Sequence, residues 1–432
     1  MNEIEVRTSG PFAASIRPPG SKSITNRALV CAALAVGDSK LIGALDSEDT
    51  RVMVDSLQRL GLDVVQNVAA ATIAVRGCGG RWPRGQADLF VGNSGTTIRF
   101  VTAMLASGEG VFRLDGVARM RERPIGDLLD ALRGLGVDAR SELGTGCPPV
   151  VIYARGLRGG TTRVRGDVSS QFLSGLLLAA PYCQSNLDIL VDGVLVSQPY
   201  VAMTMQVMRA FGAECSAPDL TRFHIPGAQR YAGRVYEVEP DASAASYFWG
   251  AAAIAGGTVK VEGLTRDALQ GDVHFVDCLQ RMGCLVEHAP DGIAVTGGPL
   301  RGIDVDMNAI SDTVQTLGAV ALFADSPTTI TGVAHIRHKE TDRIGDLARE
   351  LRKFGGQVDE FEDGLRIYPS PHAAPRSAPL AVAPIDTYND HRMAMSLALP
   401  GLRIPGVVIR NPECTVKTYP RFFEDLNSLQ RR

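Results

Sequence analysis

Six times along this chain a polar or glycine-containing opening leads into a short run of small apolar residues. The runs begin at Ser21 (SKSITNRALVCAALA), Gly92 (GNSGTTIRFVTAMLA), Val168 (VSSQFLSGLLLAAP), Asp241 (DASAASYFWGAAAIA), Ser311 (SDTVQTLGAVALFA) and Asn389 (NDHRMAMSLALPG), between 70 and 78 residues apart. A fixed recurrence means one folded unit used several times. A capping residue ahead of a small apolar helix leaves free backbone N–H groups at the helix start, and such an end attracts anions. Six such ends aimed at one place make an anion site.

A second series repeats in step: TRVMVDSLQRLG, RPIGDLLDALRGLG, QPYVAMTMQVMRAFG, DVHFVDCLQRMG and TDRIGDLARELRKFG, closing at Gly61, Gly136, Gly212, Gly283 and Gly355. Each reads as an amphipathic helix stopped by a C-cap glycine. A strand-like stretch follows, as in LDVVQ after Gly61 or VDAR after Gly136. The sixth copy falls on KTYPRFFEDLNSL near the end of the chain. Helices ending in glycine are common in α/β proteins, but two signals sharing one period and one phase are not.

A chain of 432 residues suits two or three domains with a large core. The net charge of −3 offers no bulk basic surface to nucleic acid or an anionic membrane, so an anion site must be built from locally gathered Arg and Lys. The opening MNEIEVRTSGPF has charges and no apolar core, and no apolar run approaches membrane-spanning length. No signal peptide or membrane span is therefore expected, and a cytoplasmic location is. The eight cysteines, at 31, 78, 147, 183, 215, 278, 284 and 414, form no CxxC and no zinc spacing. Reduced, buried thiols are expected, with Cys31 and Cys183 inside helix-like runs. Residues 369–384, PSPHAAPRSAPLAVAP, read as a loop between repeat units.

The chemistry-bearing residues gather at the openings of the runs. Lys22 and Arg27 lie in RPPGSKSITNR, where Ser21 stands in the place that a phosphate-binding P-loop gives to glycine, so no ATP signature is present. Asn93, Ser94, Gly95, Thr96 and Thr97 precede Arg99, and Gly95 lets a ligand approach the backbone. Arg119, Arg121 and Arg123 crowd into a loop ending in a rigid Pro124-Ile125-Gly126. Ser169, Ser170 and Gln171 offer uncharged donors. His338, Lys339, Glu340, Thr341, Asp342 and Arg343 form the densest charged cluster, followed by Asp390, His391 and Arg392, and then Lys417. A cluster such as KETDR also suits a helix cap with exposed ion pairs, and Asp312 suits an N-cap that Asn could fill with little loss of stability. That bland reading weakens when Asp312, Glu340, Arg343, Arg392 and Lys417 all fall at equivalent ends of a repeat.

These residues resemble a known family. RPPGSKSITNRALVCAALA, VGNSGTTIRF, RMRERPIGDL, VSSQFLSGLLLAAP, VSQPYV, DASAASYF, HKETDRI, DTYNDHRMAM and CTVKTYPRFF are similar, in order and over nearly the whole chain, to 5-enolpyruvylshikimate-3-phosphate synthase. The resemblance implies a two-lobed inside-out α/β barrel fold, each lobe three βαβαββ units, with the active site in the cleft between lobes. It divides the chain into a discontinuous lobe of residues 1–20 plus 238–432, holding copies four to six, and a lobe of residues 21–237, holding copies one to three.

The resemblance also implies a transferase of the shikimate pathway and a glyphosate target. The enolpyruvyl group of phosphoenolpyruvate would pass to the 5-hydroxyl of shikimate 3-phosphate by addition and elimination, releasing phosphate, with no cofactor and no metal. Phosphoenolpyruvate then falls to Lys22, Gly95, Arg123, Gln171, Arg343, Arg392 and Lys417. Shikimate 3-phosphate falls to Lys22, Ser23, Arg27, Ser169, Ser170, Gln171, Ser197, Tyr200, Asp312 and Lys339, with Asn93, Thr96 and His391 in support. Asp312 is placed at the 5-hydroxyl, Glu340 near the methylene carbon, and Lys22 shares the proton work. A monomer is expected. The chain departs from the common pattern at Ser94, Phe100, His335 and His338, where many members carry Ala, Pro, Asn and Val.

Two alternatives bear weighing. The sister family that uses UDP-N-acetylglucosamine as acceptor usually carries a catalytic Cys in the loop matching residues 117–126, which here has none. A non-catalytic anion-binding repeat protein would have lost Asp312, Glu340 or Lys417, and all three are present.

Overall fold

The computed structural model describes residues 2–371 and 382–429. Most of the loop expected at residues 369–384 therefore lies outside the described residues. The chain forms two compact units, residues 20–238 and residues 1–19 with 239–432.

In residues 20–238 the helices are α1 (Lys22–Leu34), α2 (Glu48–Arg59), α3 (Gly95–Leu105), α4 (Gly126–Gly134), α5 (Ser170–Ala179) and α6 (Gln198–Ala210). The middle copy shows the repeat intact: strand Gln86–Phe90, α3, strand Glu109–Asp115, α4, then strands Asp138–Ser141 and Val150–Arg155. Its first two strands pair in parallel and the remaining pairs are antiparallel. The first copy borrows its opening strand. Val235–Glu237 comes from the far end of the unit and pairs in parallel with Asp38–Ile42, Val235 opposite Lys40. The third copy keeps three strands, and its fourth shrinks to a bridge between Ser216 and His224.

The other unit repeats the plan with α7 (Ala242–Ala255), α8 (Phe275–Met282), α9 (Val314–Ala321), α10 (Gly345–Lys353), α11 (His391–Ala398) and α12 (Phe422–Ser428). Here too the opening strand comes from afar: Ala13–Ile16 pairs in parallel with Thr258–Glu262. In the last copy Val408–Arg410 pairs with Glu3–Glu5 and is bridged to Ile385. In each unit, then, the first and last segments meet in sheets, so the unit is tied shut by backbone hydrogen bonds.

Helices lie inside and sheets outside, because of how the apolar residues are spaced. α1 is buried from Ile24 to Leu34 and α7 along its whole length, as all-round apolar helices must be. The strands alternate, as in Asp38–Ile42 with Ser39 and Leu41 buried and Asp38, Lys40 and Ile42 exposed. Small residues let the inner helices approach: a Cβ on Gly250 would meet Thr316 Cγ2 at 2.9 Å. Hydroxyls of Ser246, Thr316 and Ser396 link α7, α9 and α11 at 3.0 and 3.2 Å.

The two sequence series map onto this plan. Gly61, Gly136, Gly212, Gly283 and Gly355 all sit at φ between +78° and +113°, where a side chain would be strained. Ser21, Ser94, Ser169, Asp241 and Asp390 cap α1, α3, α5, α7 and α11 through their side chains. α9 is the exception. Its cap position is Thr313 without a side-chain bond, because Asn308–Thr313 forms a 3-10 helix kinked at Ile310. All eight cysteines are free thiols, five of them buried. Cys183 follows the 3-10 helix Ala180–Tyr182 and does not lie inside a helix as the pattern suggested. Among the described residues no helix is long and apolar enough to cross a membrane.

Candidate active site

The expected residues divide between the two units, and in each unit several of them meet around buried arginines. In residues 20–238 they sit at the starts of α1, α3, α5 and α6, with Arg123 just ahead of α4. Arg123 is buried and donates through Nη1 to the Asn93 carbonyl at 3.0 Å and to Asn93 Oδ1 at 3.2 Å. Arg99 donates to the Gly95 carbonyl at 3.2 Å, to Gln171 Oε1 at 2.8 Å and to the Pro124 carbonyl at 3.0 Å. Gln171 in turn reaches Thr96 Oγ1 at 3.5 Å. Asn93, Gly95, Thr96, Arg123 and Gln171 thus meet around one helix start. Gly95 is fixed by close approach: a Cβ there would lie 2.5 Å from Arg123 Nη2 and 2.6 Å from Arg99 Nη1.

Arg27 is wholly buried and its partners are neutral. Nε donates to Thr204 Oγ1 at 2.7 Å, Nη1 to the Ser23 carbonyl at 2.9 Å and Nη2 to the Tyr200 carbonyl at 3.1 Å, with the guanidinium 5.1 Å from the centre of the Phe100 ring. Burial pulls its pKa down to about 10, still well above neutrality. A buried cation held by neutral groups favours an anionic ligand. Lys22, at the start of α1, lies 3.3 Å from Asp49 Oδ2. The Ser169 hydroxyl caps α5 at the Gln171 amide, Ser170 is buried, and Ser197 is buried at the start of α6 in a left-handed conformation. The arginine run divides by role. Arg121 pairs with Asp115 and Arg119 with Glu122, both near the surface, while Arg123 points inward.

In the other unit Arg343 is the hub. Its Nε donates to Asp390 Oδ2 at 2.7 Å, Nη2 to Glu340 Oε2 at 2.7 Å and to Asp390 Oδ1 at 3.2 Å, and Nη1 to Asp312 Oδ1 at 3.2 Å. Burial opposes its charge, but Asp390, then Glu340 and Asp312, outweigh burial and hold the guanidinium charged. Arg392 donates to Asp312 Oδ2 at 2.7 Å, to the Asp312 carbonyl at 3.1 Å and to the Tyr247 hydroxyl at 3.3 Å. Lys339 Nζ lies 4.0 Å from Asp312 Oδ1. Asp390 also caps α11 by accepting from the Arg392 amide at 2.8 Å.

Asp312 is therefore not the N-cap that its sequence position suggested. The kink at Ile310 gives the cap position to Thr313, and the Asp312 carboxylate bridges Arg343 and Arg392. His391 is buried with Nδ1 3.7 Å from Asp390 Oδ1, and Lys417 is buried at the end of the 3-10 helix Pro412–Lys417. His335 is buried, and burial first, then Lys339, push its pKa down to about 3 against the pull of Asp312. The imidazole is therefore neutral at neutral pH.

Sequence reasoning gave no role to Asp49, Thr204 or Tyr247. Each acts on a residue far away in the chain: Asp49 on Lys22, Thr204 on Arg27, Tyr247 on Arg392. Asp49 in the first turn of α2 reads as an ordinary helix-start acid, and the other two carry no signal beyond polarity inside an apolar run.

This arrangement, six inner helices in two repeated units with buried arginines and carboxylates at their starts, matches one family along its length. The model for EPSP synthase (3-phosphoshikimate 1-carboxyvinyltransferase) matches residues 6–426. The 3-phosphoshikimate 1-carboxyvinyltransferase of Trichormus variabilis is 49% identical over 414 residues, covering 96% of this chain and 95% of that protein. The one from Marinomonas sp. is 44% identical over 431 residues, covering 99% and 100%. Among solved structures, EPSP synthase from Acinetobacter baumannii superposes with a TM-score of 0.82 at 26% identity, covering 99% of this chain and 98% of that one. The chain belongs to the EPSP synthase family, enzymes of enolpyruvyl transfer in the shikimate pathway.

Proposed function

We propose that this chain transfers the enolpyruvyl group of phosphoenolpyruvate to the 5-hydroxyl of shikimate 3-phosphate, by addition and then elimination through a tetrahedral intermediate. In the addition, the 5-oxygen bonds to C2 of phosphoenolpyruvate. The hydroxyl proton passes to Asp312, with Lys22 sharing the work, and C3 receives a proton from Glu340. In the elimination, the C2–O bond to phosphate breaks, a C3 proton returns to Glu340, and the departing phosphate oxygen takes the proton held on Asp312, so that inorganic phosphate leaves and both carboxylates are restored. The charges balance without an oxidant, a reductant or a cofactor. Each substrate carries a phosphate and a carboxylate, which suits paired arginines. We assign phosphoenolpyruvate to Lys22, Gly95, Arg123, Gln171, Arg343, Arg392 and Lys417. Shikimate 3-phosphate goes to Ser23, Arg27, Ser169, Ser170, Ser197, Tyr200, Asp312 and Lys339, with Lys22 and Gln171 shared. The proposal extends to a cytoplasmic monomer.

The observation that carries this reading is the Asp312–Arg343–Glu340 constellation, two carboxylates held 3.2 and 2.7 Å from one buried guanidinium. Two acids fixed on one cation suit a reaction that moves two protons. The assignment is tested by ligand. Arg123→Ala and Arg343→Ala should weaken phosphoenolpyruvate by about 1.5–3 kcal/mol, the scale of a charge-assisted contact. They should weaken shikimate 3-phosphate much less when each is titrated alone. Equal weakening of both ligands would mean that these residues serve the other substrate as well.

A further inference from the structure

Two consecutive residues just ahead of α11, Tyr388 and Asn389, take left-handed backbone conformations with φ of 51° and 56°. For a bulky side chain such as Tyr388 this is uncommon and persists only where the surroundings enforce it. The next residue is Asp390, which holds Arg343 and caps α11.

The enforcing contacts are on α10. Glu350 is fully buried and collects three partners. The Tyr388 hydroxyl donates to its Oε1 at 2.7 Å, the Asp386 amide donates to its Oε2 at 2.9 Å, and Lys353 Nζ lies 2.7 Å from Oε2. Arg349, also on α10, donates to the Tyr388 hydroxyl at 3.1 Å and lies 5.7 Å from its ring centre. Lys353 further donates to the Pro384 carbonyl and pairs with Asp386, each at 2.9 Å. On the far side, Asn411 donates to Asn389 Oδ1 at 3.2 Å. The segment that carries Asp390 and Arg392 is thus clamped to the helix that follows Arg343, at a point two turns beyond it.

We infer that Tyr388 and Glu350 are positioning residues: their hydrogen bond holds the left-handed Tyr388-Asn389 pair and so fixes Asp390 and Arg392 against Arg343. Neither reaches the reacting atoms in this account. Their link to catalysis rests on the function proposed above, whereas the positioning does not.

The test follows the Arg343 Nε–H group, which donates to Asp390 at 2.7 Å inside the protein, by its hydrogen exchange in NMR, alongside steady-state kinetics. Tyr388→Phe removes the hydroxyl alone. Asn389→Gly keeps the fold, because glycine takes this φ without strain, but frees the segment. In both variants Arg343 Nε–H should exchange roughly three- to tenfold faster, the scale of one net hydrogen bond. In both, kcat should fall and KM for phosphoenolpyruvate rise by similar factors, with KM for shikimate 3-phosphate little changed. Unchanged exchange in both variants would overturn the inference. Faster exchange with wild-type kinetics would overturn the catalytic link. Wild-type protein that releases no phosphate would overturn the proposed function while the exchange rates still decide the positioning.

Discussion

The Asp312 carboxylate accepts from two buried guanidiniums while Thr313 holds the cap position of α9, and this changes what its replacement should do. Asp312→Asn keeps one acceptor but removes the charge facing Arg343, Arg392 and Lys339. Some stability should be lost, because two buried cations lose part of their compensation. Turnover should fall at least about a hundredfold, the scale of a general acid–base group, while phosphoenolpyruvate binds no more weakly. Glu340→Gln should show a similar fall and should slow solvent hydrogen exchange into the methylene of phosphoenolpyruvate. Near-normal turnover in either variant would move the proton work to Lys22.

His335 makes a separate prediction at the same scale. Its pKa is about 3 in the fold against 6.5 for a free imidazole. Between these values the unfolded chain binds a proton that the folded chain does not. Stability is therefore unaffected above about pH 6.5 and falls as the pH drops toward 3. By pH 5 the loss from this one group is about 2 kcal/mol. His335→Gln should flatten the decline in melting temperature between pH 7 and pH 5. An unchanged decline would place the acid sensitivity elsewhere.

At the scale of elements, the helix starts carry the site, and α3 shows how tightly. Gly95→Ala should fold, since the nearest atoms the added Cβ meets are side-chain ends, Arg123 Nη2 at 2.5 Å and Arg99 Nη1 at 2.6 Å, and not backbone. Both guanidiniums must then shift, and phosphoenolpyruvate should bind roughly ten- to a hundredfold more weakly by titration. Wild-type affinity would show that Arg123 does not hold that ligand.

Much of this level was legible in the sequence. Ser21, Ser94, Ser169, Asp241 and Asp390 open their helices as caps because capping is a local contact, three residues or fewer along the chain. At α9 a 3-10 turn kinked at Ile310 gives the cap position to Thr313 and not to Asp312, and no composition rule marks such a turn. Asp49, Thr204 and Tyr247 were silent for the opposite reason. Their partners are 27, 177 and 145 residues away (Lys22, Arg27 and Arg392), so only the folded chain joins them.

For the whole molecule, the two units furnish their arginines differently. In residues 20–238 Arg27 is held by neutral groups. In the other unit Arg343 and Arg392 are interlocked with Asp312, Glu340 and Asp390. Under the proposed function, the first set binds anions and the second binds anions while moving protons. The central claim is that shikimate 3-phosphate is the acceptor. It is tested most directly by following phosphate release from phosphoenolpyruvate with either shikimate 3-phosphate or UDP-N-acetylglucosamine present, in buffer with EDTA and no ATP or other nucleotide cofactor. Rapid release with shikimate 3-phosphate and none above background with UDP-N-acetylglucosamine is the expected result. Release only with UDP-N-acetylglucosamine, or with neither acceptor, would contradict the account.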